Sequence, residues 1–525
     1  MSFNDTQKAQ VIEIAQDLNF WGKRTRKSKD LVIDQIADEL FKGNNIAAIA
    51  SLLKEATPAK AEKVAKAEKA DKVPSFNEQD QHFNNAPCLP DLNTRIVYSV
   101  QNNAAINPLV FKTVEMIAQS MGAELCPVRC SYIVEKDDEA DHTMALCQPA
   151  PVWYGSDVLI LGGDVLPTAK KPISNASLMS GDRLLTVLPH PKQQAVSLPR
   201  PKGSLERWAV TTGTVCHPRY KASRAGAEAS AAHTYGFTVI DSAGGFEQVQ
   251  LDAQGCGYYR GVYISPNGFD IKKQFGRPVI IAGDIHAEKL DQDGIIFAEL
   301  LNLINETGAG SIVTHDICDF ESRNHHNRGS GLFLASQMGK TIADDLEAVG
   351  GVLSEILEST TADVIIVNSN HDRALDRWLE ETDPRQDPIN LPLWCDLQKP
   401  RYISALTGEN NRNIPLESAL HIVCPYLDYS RITFLQRDES FMKYGVELGH
   451  HGDAGINGAR GGFTAFERLG GSYVIGHSHS GYKNGSSVAV GGVTGSFDMG
   501  YNVGASSWSH SHVIVTPDGA MQIIK

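Results

Sequence analysis

The sequence has no long apolar run. Nothing in it approaches the roughly 20 residues that a membrane-crossing helix needs, and the opening MSFNDTQKAQ lacks the basic-then-apolar pattern of a secretory signal. The expected location is therefore the cytoplasm. Paired cysteines are missing too. The nine cysteines are odd in number and scattered, and the closest two, Cys126 and Cys130, form a CxxxC with no second pair to match it. That argues against both a disulfide framework and a zinc ribbon, and leaves reduced, mostly buried thiols. Positive charge is also in deficit: 48 Lys and Arg stand against 62 Asp and Glu, a net charge of -14. The molecule as a whole has no attraction to nucleic acid, although local basic patches or bound cations can still meet phosphate. What is present is a soluble globular composition, 42% hydrophobic and 21% charged, spread over 525 residues. That length exceeds one ordinary core, so two or three domains are expected.

Residues 1–56 read as a small helical bundle. Val11, Ile14, Ala15 and Leu18 share one helical face, as do Val32, Ile33, Ile36, Ala37 and Leu40, and a third helix carries Ile46, Ile49, Leu52 and Leu53. The outline fits a helix-turn-helix, with the basic cluster Lys23–Lys29 after Phe20 and Trp21 either contacting a phosphate backbone or forming a solvated loop on an oligomerisation bundle. Residues 57–75, almost entirely Ala, Lys and Glu up to Val73, form a linker. Residues 76–270 read as an α/β domain of unassigned role. Strand-like runs recur at Arg95–Val100, Val158–Leu161, Arg183–Leu188, Trp208–Thr211 and Phe237–Ile240, and Val110, Val114, Ile117 and Met121 mark a helix face. Basic segments at Lys170–Lys171, Arg200–Lys202 and His217–Arg224 bind a polyanion or are simply solvated. No nucleophile–base pair of convincing spacing occurs there.

From residue 271 onward the chain becomes more informative. The run Pro278-Val279-Ile280-Ile281-Ala282 ends abruptly in Gly283-Asp284-Ile285-His286, so that a buried strand delivers a carboxylate and an imidazole to a sheet edge. Alone this is a weak signal. The pattern then repeats: Ser311–Thr314 ends in His315-Asp316-Ile317-Cys318-Asp319, and Asp363–Val367 leads through Asn368 to Ser369-Asn370-His371-Asp372. Val446-Glu447-Leu448-Gly449 precedes His450-His451-Gly452-Asp453, and Ser472–Ile475 precedes Gly476-His477-Ser478-His479. A helix between the first two strands implies a parallel βαβ unit, which brings Asp284 and Asp316 to the same edge. Each block has a bland explanation as a strand-end hydrogen bond or a turn. Their order does not.

That ordered set, over about residues 278 to 480, resembles the signature of the calcineurin-like metallophosphoesterase superfamily. The resemblance implies an α/β two-sheet αββα sandwich over 271–525. It implies two divalent metals, one held by Asp284, His286 and His479, the other by Asn370, His451 and His477, with Asp316 bridging. His371 would stabilise or protonate the leaving oxygen, Asp319 would orient it, and a metal-held hydroxide would attack a phosphoester. His451 is preferred to His450 because the family's ligand directly precedes Gly. The mixed nitrogen and oxygen set suits manganese, which is favoured, or iron or zinc, better than magnesium or calcium. One departure is that Phe320-Glu321 stands where the family commonly has Arg-Gly, which leaves phosphate clamping open; Arg323, His325 and His326 are the nearby candidates.

The fold does not choose a substrate. The added N-terminal and middle regions with their basic, aromatic-bearing segments lean towards DNA, hence a DNase. A looser likeness of layout to the early host-DNA-degrading proteins of T-odd siphophages implies the same, with manganese, in an infected bacterial cytoplasm and with a homo-oligomer in view. The alternatives are a phosphomonoesterase or small-nucleotide phosphodiesterase, and a non-catalytic binding or assembly protein with a structural metal site.

Overall fold

Period-two alternation explains how the centre of the molecule is layered. In the strand Val279–Ile281, Ile280 faces a core built with Leu300, Ile304, Leu346, Val349 and Leu353 from two helices, while Val279 and Ile281 face a second core with Val446, Leu448, Val474 and Ala489 from another sheet. Both faces of the strand are covered, so the run is apolar throughout. The same division repeats along Ser311–Thr314 and Asp363–Ile366: Ile312, Val364 and Ile366 point to the helices, Val313 and Ile365 to the opposing sheet. The layers are therefore helices, a sheet, and a second sheet packed against it.

The computed structural model describes residues 88–89 and 94–525, apart from 103, 132–151, 163–164, 175, 271–274, 292, 325–330 and 409–413. The expected N-terminal bundle and Ala/Lys/Glu linker lie outside the described residues. The rest of the chain is mixed α/β. Its two sheets contain, among the described residues, 11 and 13 strands.

Val279–Ile281, Ser311–Thr314, Asp363–Ile366 and Ile432–Phe434 lie side by side and parallel, with Ile280 opposite Ile312 and Ile312 opposite Val364. The expected βαβ unit is formed by the helix Ile295–Thr307, which buries Phe297, Leu300, Leu301 and Ile304 and ends on Gly308 in the left-handed region (φ 60°). Two further helices, Gly331–Ser336 and Ile342–Ser359, precede the third of these strands. The second has its own start: Thr341 accepts from Asp344 N while the Asp344 side chain accepts from Thr341 N, a capping box that fixes a new N-terminus.

The two sheets run straight across the domain boundary expected at residue 270. Tyr482–Asn484 pairs antiparallel with Gln194–Leu198, placing Tyr482 opposite Val196, and Phe246–Leu251 pairs with Met521–Ile524, placing Glu247 opposite Ile524. Ala86–Lys525 accordingly forms one compact unit, distinct from Met1–Asn85. The physical reason is edge pairing: strands of the middle region satisfy backbone groups that the C-terminal strands would otherwise leave exposed. Val97, Tyr154, Ile160, Val187, Trp208, Ile240 and Phe246 share one core with Ile523, only two residues from the C-terminus.

Candidate metal centre

Five strand ends and the turns that follow them build the site. After Ile281 the chain turns through Ala282-Gly283 and is pinned by Asp284 N to Gly492 O (3.0 Å), Ile285 N to His315 O (3.0 Å) and His286 N to Asp316 O (2.8 Å). The first two ligand-bearing turns are thus stitched together by backbone bonds. Asp316 N in turn donates to Ser369 Oγ (2.9 Å) while Asp316 Oδ1 accepts from His371 N (2.9 Å), which ties the third turn to the second. Asp284 Oδ2 accepts His477 N (2.8 Å), tying in the last.

The backbone itself is held in an unusual state. His286 (φ 47°), Asp316 (φ 38°), His477 (φ 72°) and His479 (φ 53°) all occupy the left-handed region without being glycine. Such a conformation costs on the order of 1–3 kcal/mol per residue, and it persists only where surrounding contacts over-determine it, commonly at functional sites. Gly476 is required for a different reason: a Cβ there would stand 2.3 Å from Asp284 Oδ1 and 2.9 Å from the His315 Cβ.

Donor atoms of Asp284, His286, Asp316 and His479 converge, as do those of Asp316, His451 and His477, within 4.8 Å in each set, so Asp316 belongs to both. Asn370 joins the second, its Oδ1 lying 2.7 Å from His451 Nε2 and 2.9 Å from His477 Nδ1. The residues fit a metal better than they fit one another. His286 Nε2 and His479 Nε2 face each other at 3.1 Å across a gap that has room for one proton, and fully buried Asp284 Oδ1 has no hydrogen-bond partner. Convergent lone pairs with too few protons between them are what a divalent cation satisfies.

Electrostatics separates the roles. Burial works to raise the pKa of Asp284, but His479 and His451 outweigh it and hold the carboxyl down at about 2. Asp316, also buried, is held well below the ordinary range by His451 and His371. Both are carboxylates and ready to ligate. Burial lowers His477 and His479, favouring the neutral imidazole that a metal needs. His451 goes the other way, to about 9, because Asp316 outweighs its burial; cations at the same carboxylates would offset that pull.

His371 and Asp319 stand beside these ligands. His371 Nδ1 lies 2.7 Å from Asp319 Oδ1, and the same carboxylate oxygen is 3.4 Å from His286 Nδ1. His371 is pushed up to about 10: burial opposes the shift, and the Asp316 and Asp319 charges overcome it.

Other expected residues fall elsewhere. Arg323 is a structural strut, its Nε and Nη2 bonded to Asp387 (2.8 and 3.0 Å) and its Nη1 to Ser322 O (2.8 Å), and Asp387 also accepts from Trp378 Nε1. With its donors so engaged, the guanidinium is not presented to a phosphate. His325 and His326 lie outside the described residues. His450 belongs to neither donor set and has Asp438 as its charged neighbour, at 3.9 Å. His512 opens the strand His512–Val515, and its Nδ1 accepts from Gly283 N (3.0 Å), bracing the turn that carries Asp284.

Two features escaped sequence reading. Glu288 accepts from Asp319 N (2.9 Å), Phe320 N (3.0 Å) and the Cys318 thiol (2.9 Å), so a half-buried carboxylate cradles the turn that presents Asp319. Its position two residues after His286 was the available signal. Trp508 and Tyr501 flank the site as well: Trp508 meets His479 edge-on at 4.3 Å, and Tyr501 lies 5.6 Å from His371. Nothing in the local sequence marks them.

The chain is 33% identical to protein A1 of Escherichia phage T5 over 547 aligned residues, covering 98% of this chain and 97% of that protein. The chain belongs to the protein A1 family. Kinship with protein A1 takes in the strands before residue 270 together with the ligand-bearing turns after it, in keeping with sheets that both regions build. No family model and no solved structure matches the chain. Among the described residues, no helix is long and apolar enough to cross a membrane.

Proposed function

We propose that this protein is a two-metal-dependent phosphodiesterase that hydrolyses DNA, built on the metallophosphoesterase sandwich. The observation that carries the reading is Asp316, shared by two converging donor sets, with the His371–Asp319 pair beside them. A purely structural metal site has no use for that pair. The helix–sheet–sheet layering with ligands at consecutive strand ends supports the sandwich assignment. Manganese is the favoured ion, with iron or zinc as substitutes, given five histidine and amide donors beside two carboxylates.

Divalent cations bound here would supply charge neutralisation at the phosphate and a water of lowered pKa. The chain's own residues do the rest. Asp284, His286 and His479 would fix one ion, Asn370, His451 and His477 the other, and Asp316 would hold the spacing between them. Asp319 takes the Nδ1 side of His371 and leaves Nε2 to meet the leaving oxygen. In that position His371 delivers a proton to the departing 3′ or 5′ oxygen. The mechanism requires no Ser or Cys nucleophile, and the sequence offers none of convincing spacing.

DNA is preferred over a small phosphoester because the family relative is a phage protein of matching length and because large added regions accompany the site. The setting that follows is the cytoplasm of an infected bacterium, with a homo-oligomer as the working form. Purified protein incubated with plasmid and linear DNA and manganese tests the reading. Cleavage is expected from the wild type and not from Asp316→Ala or His371→Ala; intact DNA with rapid turnover of p-nitrophenyl phosphate would instead identify a phosphomonoesterase. Retained metal with no ester hydrolysed would identify a binding protein.

A further inference from the structure

Tyr501 is a large aromatic side chain left 47% exposed beside a centre otherwise lined by buried charge. Its ring lies 5.6 Å from His371, 6.1 Å from His479 and 5.6 Å from Trp508, and its hydroxyl turns inward to Met499 Sδ (2.8 Å). The hydroxyl is thus partnered within the loop, and the residue as a whole stays partly open to solvent next to the leaving-group histidine.

The loop that carries it is clamped at both ends. Thr494 N donates to Asp284 O (2.8 Å), Ser496 N to Lys289 O (2.7 Å) and Ser509 N to His479 O (2.9 Å). From the middle region, Arg200 exchanges two backbone bonds with Ser506 and sends Nη1 to Trp508 O (2.7 Å). A ring on such a loop loses little conformational freedom when it meets a ligand.

On the same loop, Phe497, Asp498 and Asn502 help to line a cavity of ≈ 400 Å³ together with Arg200, Lys202 and His510. Its cations are already matched: Lys202 Nζ pairs with Asp498 (3.0 Å), and Arg200 bonds to Ser204 O and Trp508 O beneath the Phe497 ring. This neighbouring cavity is therefore no phosphate clamp, and its one aromatic, Phe497, is already stacked on His510 (3.9 Å).

We infer that Tyr501 is a substrate contact, the platform on which the nucleobase flanking the scissile phosphodiester stacks. The inference rests on the nuclease reading above and names the part of the substrate that Tyr501 recognises. Stacking on a ring tolerates any base, because every base presents a π face. It requires that base to be unpaired from its complement, so single-stranded or frayed ends are the preferred substrate.

The test is binding without metal. Anisotropy of a labelled mixed-sequence single strand in EDTA is measured for wild type, Tyr501→Phe, Tyr501→Ala and Tyr501→Leu. Tyr501→Phe should match wild type, whereas Tyr501→Ala and Tyr501→Leu should bind about tenfold more weakly, within the range of one base–aromatic stack. A fully abasic strand of equal length should bind all four alike. Equal affinity of all four forms for the base-bearing strand overturns the contact, as does an equal loss on the abasic strand, which would mark a structural role. Failure of the wild type to cut nucleic acid with any divalent metal overturns the nuclease reading separately.

Discussion

At the scale of single residues, the site is a set of groups that cannot be relaxed independently. Asp319 touches both His371 and His286, so removing its charge frees the imidazole of His371 to rotate. Asp319→Asn should lower kcat on DNA by about 10- to 100-fold with little change in KM, and His371→Ala by about 100- to 10,000-fold, the usual span for a general acid. Steady-state cleavage of one linear substrate at saturating manganese checks both, and a change confined to KM would refute the assigned roles. Gly476 yields a steric prediction. A methyl group there enters the space of Asp284 Oδ1 at 2.3 Å, and the other neighbours, the His315 ring and Cβ, are themselves buried. Gly476→Ala should reduce bound metal, read by elemental analysis after gel filtration, more sharply than it lowers Tm.

At the scale of elements, the turns that carry the candidate ligands were legible because strands bury apolar side chains on both faces and must stop where polar side chains begin. Asp284, Asp316, Asn370, His451 and His477 each follow such a stop, and parallel pairing of three strands carries the first three to one edge. What was not legible depends on contacts made over long stretches of chain. Arg323 looked free in the sequence, but its partner Asp387 is 64 residues away. Glu288 shows what a local pattern omits: its role lies in three donors on the turn 318–320, about thirty residues downstream. Glu288→Ala strands those donors in a buried place, at about 1–3 kcal/mol for each left unsatisfied. Expected outcomes are a lower Tm by calorimetry and a kcat loss resembling that of Asp319→Asn, since the turn that aims Asp319 is released. Unchanged kcat in a folded Glu288→Ala protein would show that the turn holds its shape without the cradle.

At the scale of the whole molecule, the middle region is structural material for the site and not a detachable neighbour. Composition and periodicity found its strands but not their partners, because strand pairing across 290 residues leaves no local trace. Lys483 makes this testable. It sits in the strand Tyr482–Asn484, is fully buried, and reaches Gln193 Oε1 of the middle region at 3.1 Å; the Gln193 amide in turn binds Thr212 O, Phe237 O and Val249 O. Burial lowers the Lys483 pKa from 10.5 to about 7. The unfolded chain therefore holds a proton that the folded protein gives up between about pH 7 and pH 10, and stability contributed by this group rises with pH over that window. Linkage places the gain at about 2 kcal/mol between pH 7 and pH 9. In Lys483→Met, which keeps the apolar stem and removes the titration, that slope should vanish and stability near pH 7 should exceed wild type. Urea denaturation of the two proteins at pH 7, 8 and 9 gives the difference directly, cancelling every other titrating group that the two share. Parallel curves would mean that Lys483 keeps its proton when folded. That would require a polar environment at the junction between the two regions in place of the dry one these strands build.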